Sequence, residues 1–391
     1  MWRCSRGAIR VHSMSAPVHY HLDKFPPAAL DWARLIPLIG PASARLARYD
    51  GLLSAIPNAH ILRTPLATQE AVLSSKIEGT QVTISEVLEV EAGSISEALT
   101  QSKRDDAKEV LNYRHAMSAC VDEMKHRPFS QQVLRGAHQI LMRGVRGRDK
   151  MPGSYRSGQN YIGPAGCTPE TASFVPIAPE HLCAGMDAWE RYFKSTHEPD
   201  MLVQLALVHL EFEALHPFMD GNGRLGRMLI PLFLHERRFL SSPDFYISGY
   251  LEQNRQEYQE RLRAVSRDGA WTEWCMFFLK AIQEQAGENE RRAHAILALH
   301  DRLKLRVTEL THSQHAMRIV DFLFQSPIFA APAFYGRSGI PKPSAARFLK
   351  LLRKEGILSI LQEGRGGRVG IYAFDALLCA AEGTENLSLV R

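Results

Sequence analysis

No run in the sequence approaches the roughly 18 consecutive apolar residues that a membrane-spanning helix needs, so no segment is expected to cross a bilayer. Paired cysteines are also missing. Cys4, Cys120, Cys167, Cys183, Cys275 and Cys379 are scattered singly along the chain. That spacing argues against a zinc site and against a disulfide framework, and favours reduced thiols in a cytoplasmic protein. No acidic residue precedes Asp23, while Arg3, Arg6 and Arg10 are present. This loosely has the character of a targeting peptide, but an apolar core of secretory type is lacking. Residues 1–13 are therefore expected to be disordered or to precede the true start at Met14. Internal repeats are absent. A strong charge imbalance is absent too: the formal net charge is +5 over 391 residues, too small to imply nucleic acid by itself.

What is there is an ordinary balance for a folded chain, with 45% hydrophobic and 23% charged residues. The length suggests two or three domains. Apolar residues recur at helical spacing almost throughout. Helices are expected over 107–124, 131–142, 202–215, 225–236 and 271–304, the last as one helix or two. Residues 202–215 and 225–236 are rich in apolar residues and should form the buried centre. Residues 151–179 break the pattern with Gly, Pro, Ser and Thr. Two strand-like pieces, 155–162 and 174–177, predict a β-hairpin projecting from the helices.

The tail predicts helices at 316–324 and 342–354 with a Pro- and Gly-rich segment between them. Short apolar runs follow at 357–361 and 369–374. They are joined by Glu363-Gly-Arg-Gly-Gly-Arg368. This is the order of a winged helix-turn-helix. From Arg337 to Arg368 there are eight Lys or Arg against two acids, Glu355 and Glu363.

The chemistry concentrates in His216-Pro-Phe-Met-Asp-Gly-Asn-Gly-Arg-Leu-Gly-Arg227. Gly221-Asn222-Gly223 lets the backbone curl and aim several N–H groups at one point, just where a helix opens. Arg224 and Arg227, three apart, can project near one face and grip a polyphosphate. Asp220 is an oxygen ligand of the kind Mg²⁺ prefers when phosphates complete its shell. His216 can act as a general base near neutral pH. Together these parts imply attack by a hydroxyl on a nucleotide phosphate. Singly, a core histidine or an Asn-Gly pair is usually structural.

This segment resembles the signature of the Fic family, His-x-Phe-x-(Asp/Glu)-Gly-Asn-Gly-Arg-x-x-Arg, without departure at a fixed position. The resemblance covers roughly residues 60 to 285. It implies a mainly α fold and transfer of AMP from ATP to Ser, Thr or Tyr hydroxyls of proteins. By resemblance His216 would be the base and Asp220 would hold Mg²⁺. Asn222 and the surrounding glycines, Gly221 and Gly223, would cradle the α-phosphate, with Arg224 and Arg227 on the outer phosphates and Leu225 and Gly226 also among the nucleotide-binding residues. Upstream, Ser74-Ser-Lys-Ile-Glu78-Gly79 is similar to the family's inhibitory motif, (Ser/Thr)-x-x-x-Glu-(Gly/Asn). Glu78 at a helix end could pair with Arg227, with Ser74 one turn earlier, so ATP would bind unproductively. The hairpin fits the family's flap, an edge that holds a target segment by backbone pairing. Its Phe174-Val-Pro-Ile stretch carries one proline where relatives often show two. Tyr250, Asn254 and Tyr258 fall on one helical face, and in similar proteins that stretch lines the adenine pocket, with Asn254 as a contact.

The expected organisation is an N-terminal helical region at 14–125, a Fic-type core with a β-hairpin flap at 126–290, a linker helix at 291–311 and a winged helix-turn-helix at 312–385. The leading expectation is a protein adenylyltransferase restrained by Glu78, acting on a protein substrate or on itself, with a homodimer compatible. Two others stay open: a hydrolase that removes AMP with the same site, and a nucleotide-sensing regulator that binds DNA through Lys350, Arg353, Arg365 and Arg368.

Overall fold

In the computed structural model the described residues are 16–56, 60–94, 99–144, 149–164, 166–364 and 368–384. The expectations for residues 1–13 and for Arg365 fall outside them. The chain opens with a two-residue strand β1 (Val18–His19), then helices α1 (Trp32–Ser54), α2 (His60–Ile77), α3 (Ile84–Glu91), α4 (Gln101–Met124) and α5 (Gln131–Leu141). After β2 (Phe174–Val175) come α6 (Pro179–Lys194), α7 (Met201–Leu215), α8 (Asn222–Glu236), α9 (Ser248–Gln253), α10 (Arg255–Asp268) and α11 (Trp271–Thr311). The tail holds α12 (Ala316–Gln325), β3 (Ile328–Ala330), α13 (Ala331–Arg337), α14 (Lys342–Lys354), β4 (Ser359–Gln362), β5 (Ile371–Ala373) and α15 (Asp375–Glu382).

The centre is α7. It is apolar on every side, and nearly all of its side chains are buried, as a helix without a polar face must be. The indoles of Trp189 and Trp274 donate to its Val208 and Ala206 carbonyls at 2.9 and 2.8 Å. These bonds allow two large aromatic residues to be buried with their N–H groups satisfied. Helix α8 packs on α7, with α4 and α5 beside it.

Three segments differ from the sequence expectation. Residues 271–311 form one unbroken helix, so the expected boundary at 290/291 lies inside α11. The segment at 151–179 is joined by a single antiparallel bridge between Ile162 and Phe174 rather than two paired strands. The other edge of Phe174–Val175 pairs in parallel with Val18–His19. Glycine and proline leave too few consecutive donors for a longer ladder. Between α12 and α14, the Pro- and Gly-rich segment, for which the sequence predicts no element, contains β3 and α13. Pro332 sits in the first turn of α13, where its missing N–H costs no bond. The tail's sheet has the antiparallel order β3-β5-β4. Helices α12 and α15 pack against α2, and β3 against α3. The tail thus abuts the helix that carries Ser74.

Candidate active site

The motif loop is built from two left-handed turns. Helix α7 ends at His216, whose φ of 48° and ψ of 59° turn the chain sharply, and Pro217 prevents continuation. Gly221, at φ 80°, caps α8. A side chain would be strained there. Helix α8 begins at Asn222, three residues earlier than the apolar pattern indicated. Between the two turns, Asn222 closes the loop on itself: the Phe218 N–H donates to its Oδ1 at 2.9 Å, and its Nδ2 donates to the Phe218 carbonyl at 2.8 Å. Its buried amide therefore shapes the motif loop. His138 braces the same loop from α5. Its ring stacks on Phe218 at 3.9 Å. Nδ1 accepts from the Gly153 N–H at 2.8 Å, which leaves Nε2 to donate to the Asp220 carbonyl at 3.1 Å. Burial pushes the His138 ring down to about 4, so it stays neutral.

Arg156 locks the histidine end. It is buried, and it donates to the carbonyls of His216 (2.9 Å), Leu215 (3.3 Å), Ile177 (2.5 Å) and Gly158 (3.0 Å). These include final carbonyls of α7, which have no partner within the helix. Burial pulls its guanidinium down to about 10. Sequence reasoning missed Arg156 and His138. The available signal was slight: Arg156 is the one Lys or Arg between 151 and 179.

The two motif arginines diverge. Arg224 pairs with Glu109 of α4 at 3.1 Å and reaches Asp220 Oδ1 at 3.5 Å. Arg227 turns toward the end of α2. Its Nε donates to Ser74 Oγ at 2.9 Å, and its Nη2 donates to the Ser74 carbonyl at 2.8 Å and to Glu78 Oε1 at 2.6 Å. Burial works against the Arg227 charge, but Glu78, Tyr258 and Glu213 outweigh it and raise the guanidinium above its ordinary value. Burial likewise works against the Glu78 carboxylate, and Arg227, with help from Arg224 and His216, brings it below its ordinary value.

Local chain chemistry explains why Glu78 points there. Gly79, at φ 105°, ends α2 in a left-handed turn. The Thr80 N–H donates back to Ser75 and the Gly79 N–H to Lys76, a pattern that terminates a helix. Glu78 is the last residue before the turn, so its side chain projects beyond the helix. Its Oε1 comes down directly over the first turn of α8: a Cβ placed on Gly223 would lie 2.2 Å from it. The carboxylate thus occupies an anion seat formed by a helix N-terminus.

His216 is partly buried. Burial pushes its ring down to about 4, against the Glu213 carbonyl, Glu78 and Asp220, which favour the charged form. The ring is neutral at physiological pH and can accept a proton. Its Nδ1 is shielded from solvent and forms no hydrogen bond of normal geometry. Beside it opens a cleft of about 380 Å³, lined among others by Gln159, Asn160, Pro164, Cys167 and Met219. Asp220 is partly exposed. Its Oδ1 accepts from the Gly221 N–H at 2.6 Å.

Asn254 stands apart from the expectation. The chain breaks between α9 and α10 at this residue, so Tyr250, Asn254 and Tyr258 do not line one continuous helix. Asn254 Nδ2 donates to the Tyr250 carbonyl at 2.9 Å, and Tyr258 is buried with its hydroxyl on His209 Nε2 at 2.9 Å.

Residues 36–122 match the Fic/DOC family N-terminal model, and residues 128–234 match the Fic/DOC family model. A probable protein adenylyltransferase of Aquifex aeolicus is 28% identical over 177 residues, which cover 45% of this chain and 50% of that protein. The protein adenylyltransferase Fic of Drosophila ananassae is 34% identical over 84 residues, 21% of this chain and 15% of that one. The chain thus spans half the length, or less, of these curated relatives. Among solved structures, a Fic family protein from Desulfovibrio desulfuricans G20 superposes with a TM-score of 0.57 at 20% identity, covering 89% of this chain and 98% of that one. A Fic domain containing signaling protein from Bacteroides thetaiotaomicron superposes with a TM-score of 0.54 at 18% identity, over 66% of this chain and 97% of the other. These last two are likenesses of fold. The chain thus carries both Fic/DOC family domains, the N-terminal one at residues 36–122 and the Fic/DOC domain itself at 128–234.

Proposed function

We propose that this protein transfers AMP from ATP to Ser, Thr or Tyr hydroxyls of proteins, and that the conformation described is its self-restrained form. The observation that carries this reading is the Glu78 carboxylate seated over Gly223 and bonded to Arg227 at 2.6 Å. That is the place where outer phosphates of a nucleotide would meet the α8 N-terminus. In the transfer, neutral His216 takes the proton of the target hydroxyl. The hydroxyl oxygen bonds to the α-phosphorus, and the bond from that phosphorus to the bridging oxygen breaks, so pyrophosphate leaves with the electron pair. Backbone N–H groups of 221–223 and the two arginines stabilise charge on the phosphates. The cleft beside His216 suits the target segment.

Asp220 fits a Mg²⁺ held mainly by phosphates. Its carboxylate is partly exposed, with only Oδ1 engaged among the described residues. No cluster of three or more acidic, His or Cys ligands exists among them either. Bound Mg²⁺ would neutralise phosphate charge.

The test is transfer of labelled α-phosphate from ATP to protein. Labelling should strengthen in Glu78→Gly and vanish in Glu78→Gly/His216→Ala. If labelled α-phosphate never appears on protein in the Glu78→Gly form, the reading is wrong.

A second reading concerns the tail, taken as a winged helix-turn-helix. Its support is the outer face of α14, where Arg347, Lys350, Arg353 and Lys354 are exposed, with Arg353 3.3 Å from Glu363. Arg368 is exposed on the turn before β5. Such a face suits the phosphate backbone of duplex DNA. Duplex affinity should fall steeply with salt, and the salt slope should flatten when Lys350, Arg353 and Arg368 are replaced. Salt-insensitive or absent binding would sink this reading.

A further inference from the structure

Every hydrogen bond that Arg227 makes through its Nε and Nη2 ends on Ser74 or Glu78. All of these partners belong to the segment that would have to withdraw for a nucleotide to enter. Once it withdraws, the guanidinium keeps its contact with the Tyr258 hydroxyl of α10 but loses its bonded carboxylate, and needs another to stay aimed at the outer phosphates. A second carboxyl lies close by. Glu213 stands on α7, one turn before His216, and its Oε1 rests on α8 so closely that a Cβ on Gly226 would sit 2.2 Å from it. That oxygen is sealed from solvent and has no hydrogen-bond partner. A shielded carboxyl oxygen without a donor calls for an explanation, and the reaction outlined above does not use it.

The charges around Glu213 supply one. Burial raises its carboxyl to about 7; the Arg227 charge lowers it and the Glu78 charge raises it. Tyr258 of α10 senses both Glu213 and Arg227. His209 of α7 lies between Tyr258 and the Gly226 carbonyl, to which its ring nitrogens are bonded, and burial keeps it neutral, down to about 3. His216, the remaining titratable group on this side, is neutral as well. The charged groups that act on Glu213 are thus Arg227 and Glu78; Arg224 acts on Glu78, and Arg227 also acts on the buried Glu70 of α2. Gly223 and Gly226 leave the α8 surface bare where each carboxyl rests. In the described state Arg227 is drawn to Glu78, and Glu213 Oε1 is left without a donor.

We infer that Glu213 is a positioning residue that takes over Arg227 when Glu78 leaves, holding the guanidinium on α8 for the outer phosphates of the nucleotide. This rests on the proposed function, because it presumes that ATP enters this seat. It adds a second carboxylate to the arginine's cycle: Glu78 holds Arg227 away from the nucleotide, and Glu213 holds it toward the nucleotide. With Glu78 gone, one influence that kept Glu213 protonated is removed, so its ionised form becomes more populated at neutral pH.

The experiment measures ATP and AMP binding by calorimetry to Glu78→Gly and to Glu78→Gly/Glu213→Gln at pH 6 and pH 8, with melting curves to confirm folding. Gln keeps the size of Glu and removes its charge. At pH 8 the double variant should bind ATP about tenfold more weakly, while AMP, which lacks the outer phosphates, should bind both forms equally. The gain in ATP affinity from pH 6 to pH 8 should be larger in the single variant; the ionisation of ATP itself is common to both. Glu78→Gly/Glu213→Asp should recover part of the loss. Equal ATP affinities overturn the role of Glu213 while leaving the proposed function intact, and so does an equal loss for ATP and AMP. If neither variant binds ATP, the nucleotide reading falls and this inference falls with it.

Discussion

Replacing Glu78 by glycine deletes the one carboxylate bonded to Arg227 among the described residues, without altering the sequence of α8 or of the motif loop. The size of the effect follows from the setting of the pair. Arg227 is 1% exposed, but the Glu78 side chain is 40% exposed, so solvent screens one end. A hydrogen bond to a charged group contributes roughly 1.5–3 kcal/mol when shielded, and an exposed ion pair about 0–1 kcal/mol. The Glu78 seat should therefore contribute about 1–2 kcal/mol, or a ~5- to 30-fold shift in the fraction of molecules with a free Arg227. At ATP concentrations well below KM, the initial rate of AMP transfer should rise by that factor. Ser74→Ala removes only the Oγ acceptor of Arg227 Nε, because the Ser74 carbonyl remains. Its gain should be a few-fold at most. Glu78→Gln should fall between the two. The readout is α-phosphate incorporated into protein, alongside ATP affinity. If Glu78→Gly transfers AMP no faster than wild type, or if Ser74→Ala exceeds it, the carboxylate is not what restrains the site.

Asn222→Ala leaves the Phe218 N–H without its partner, worth roughly 1–3 kcal/mol if buried and unsatisfied, while the Phe218 carbonyl keeps the Asn160 Nδ2 donor at 2.8 Å. It should lower the melting temperature and cut transfer in the Glu78→Gly background, while circular dichroism stays helical. Arg156→Lys should lose both stability and activity, because an ammonium cannot serve four carbonyls fixed around a planar guanidinium; differential melting and labelling check it. Acidification should destabilise the fold. His138, His209 and His216 are held neutral in the folded state, near 4, 3 and 4, whereas unfolded histidine titrates near about 6.5. The unfolded chain therefore binds more protons below that pH, so stability is full above it and is lost as pH falls, by up to ~1.4 kcal/mol per unit for each histidine. Melting temperature against pH should decline below about 6.5, and His138→Gln should flatten the decline.

How much of this was legible depended on which signal each feature leaves. Helix α14 was read at its full extent, and α5 and α7 within a residue at an end, because apolar spacing marks both ends of a well-packed face. Helix α4 begins six residues before its apolar pattern. Its first turns are polar, and its start is set by Thr100, which accepts from the Lys103 N–H. Helix α8 likewise starts at Asn222 because Gly221 caps it, not because of hydrophobicity. In the candidate site, the residues with a local pattern were found: His216, Asp220, Arg224 and Arg227 in one segment, Ser74 and Glu78 in another. The ones that hold them in place were not. Arg156, His138 and Glu109 are brought in from three separate segments, and no spacing rule relates them to the motif; Glu213 adjoins the motif one turn before His216, but an acid on an apolar helix carries no pattern of its own. Asn222 was read as a phosphate ligand, yet its amide is occupied by Phe218. A residue type that fits a ligand fits a backbone loop equally well.

Gly226 separates the two roles a motif glycine can have. As a helical residue, glycine should be the weaker choice, and Gly226→Ala should gain roughly 1 kcal/mol from helix propensity alone if the space were open. The space is not open. The new Cβ would lie 2.2 Å from Glu213 Oε1, 3.0 Å from its Cδ and 3.3 Å from Phe212 Cδ1. The first two atoms belong to the end of a flexible side chain, which can swing away at small cost. Gly226→Ala should therefore leave the melting temperature unchanged or raised while displacing Glu213 from α8. If Glu213 holds Arg227 for the outer phosphates, Glu78→Gly/Gly226→Ala must weaken ATP but not AMP, in the manner of Glu78→Gly/Glu213→Gln. Combining all three changes should add nothing further, since both act through one contact. Calorimetry on the four variants forms the cycle. Independent, additive losses would mean that Gly226 is kept for the nucleotide itself. A fall in stability would mean that Phe212, not Glu213, is what the Cβ displaces.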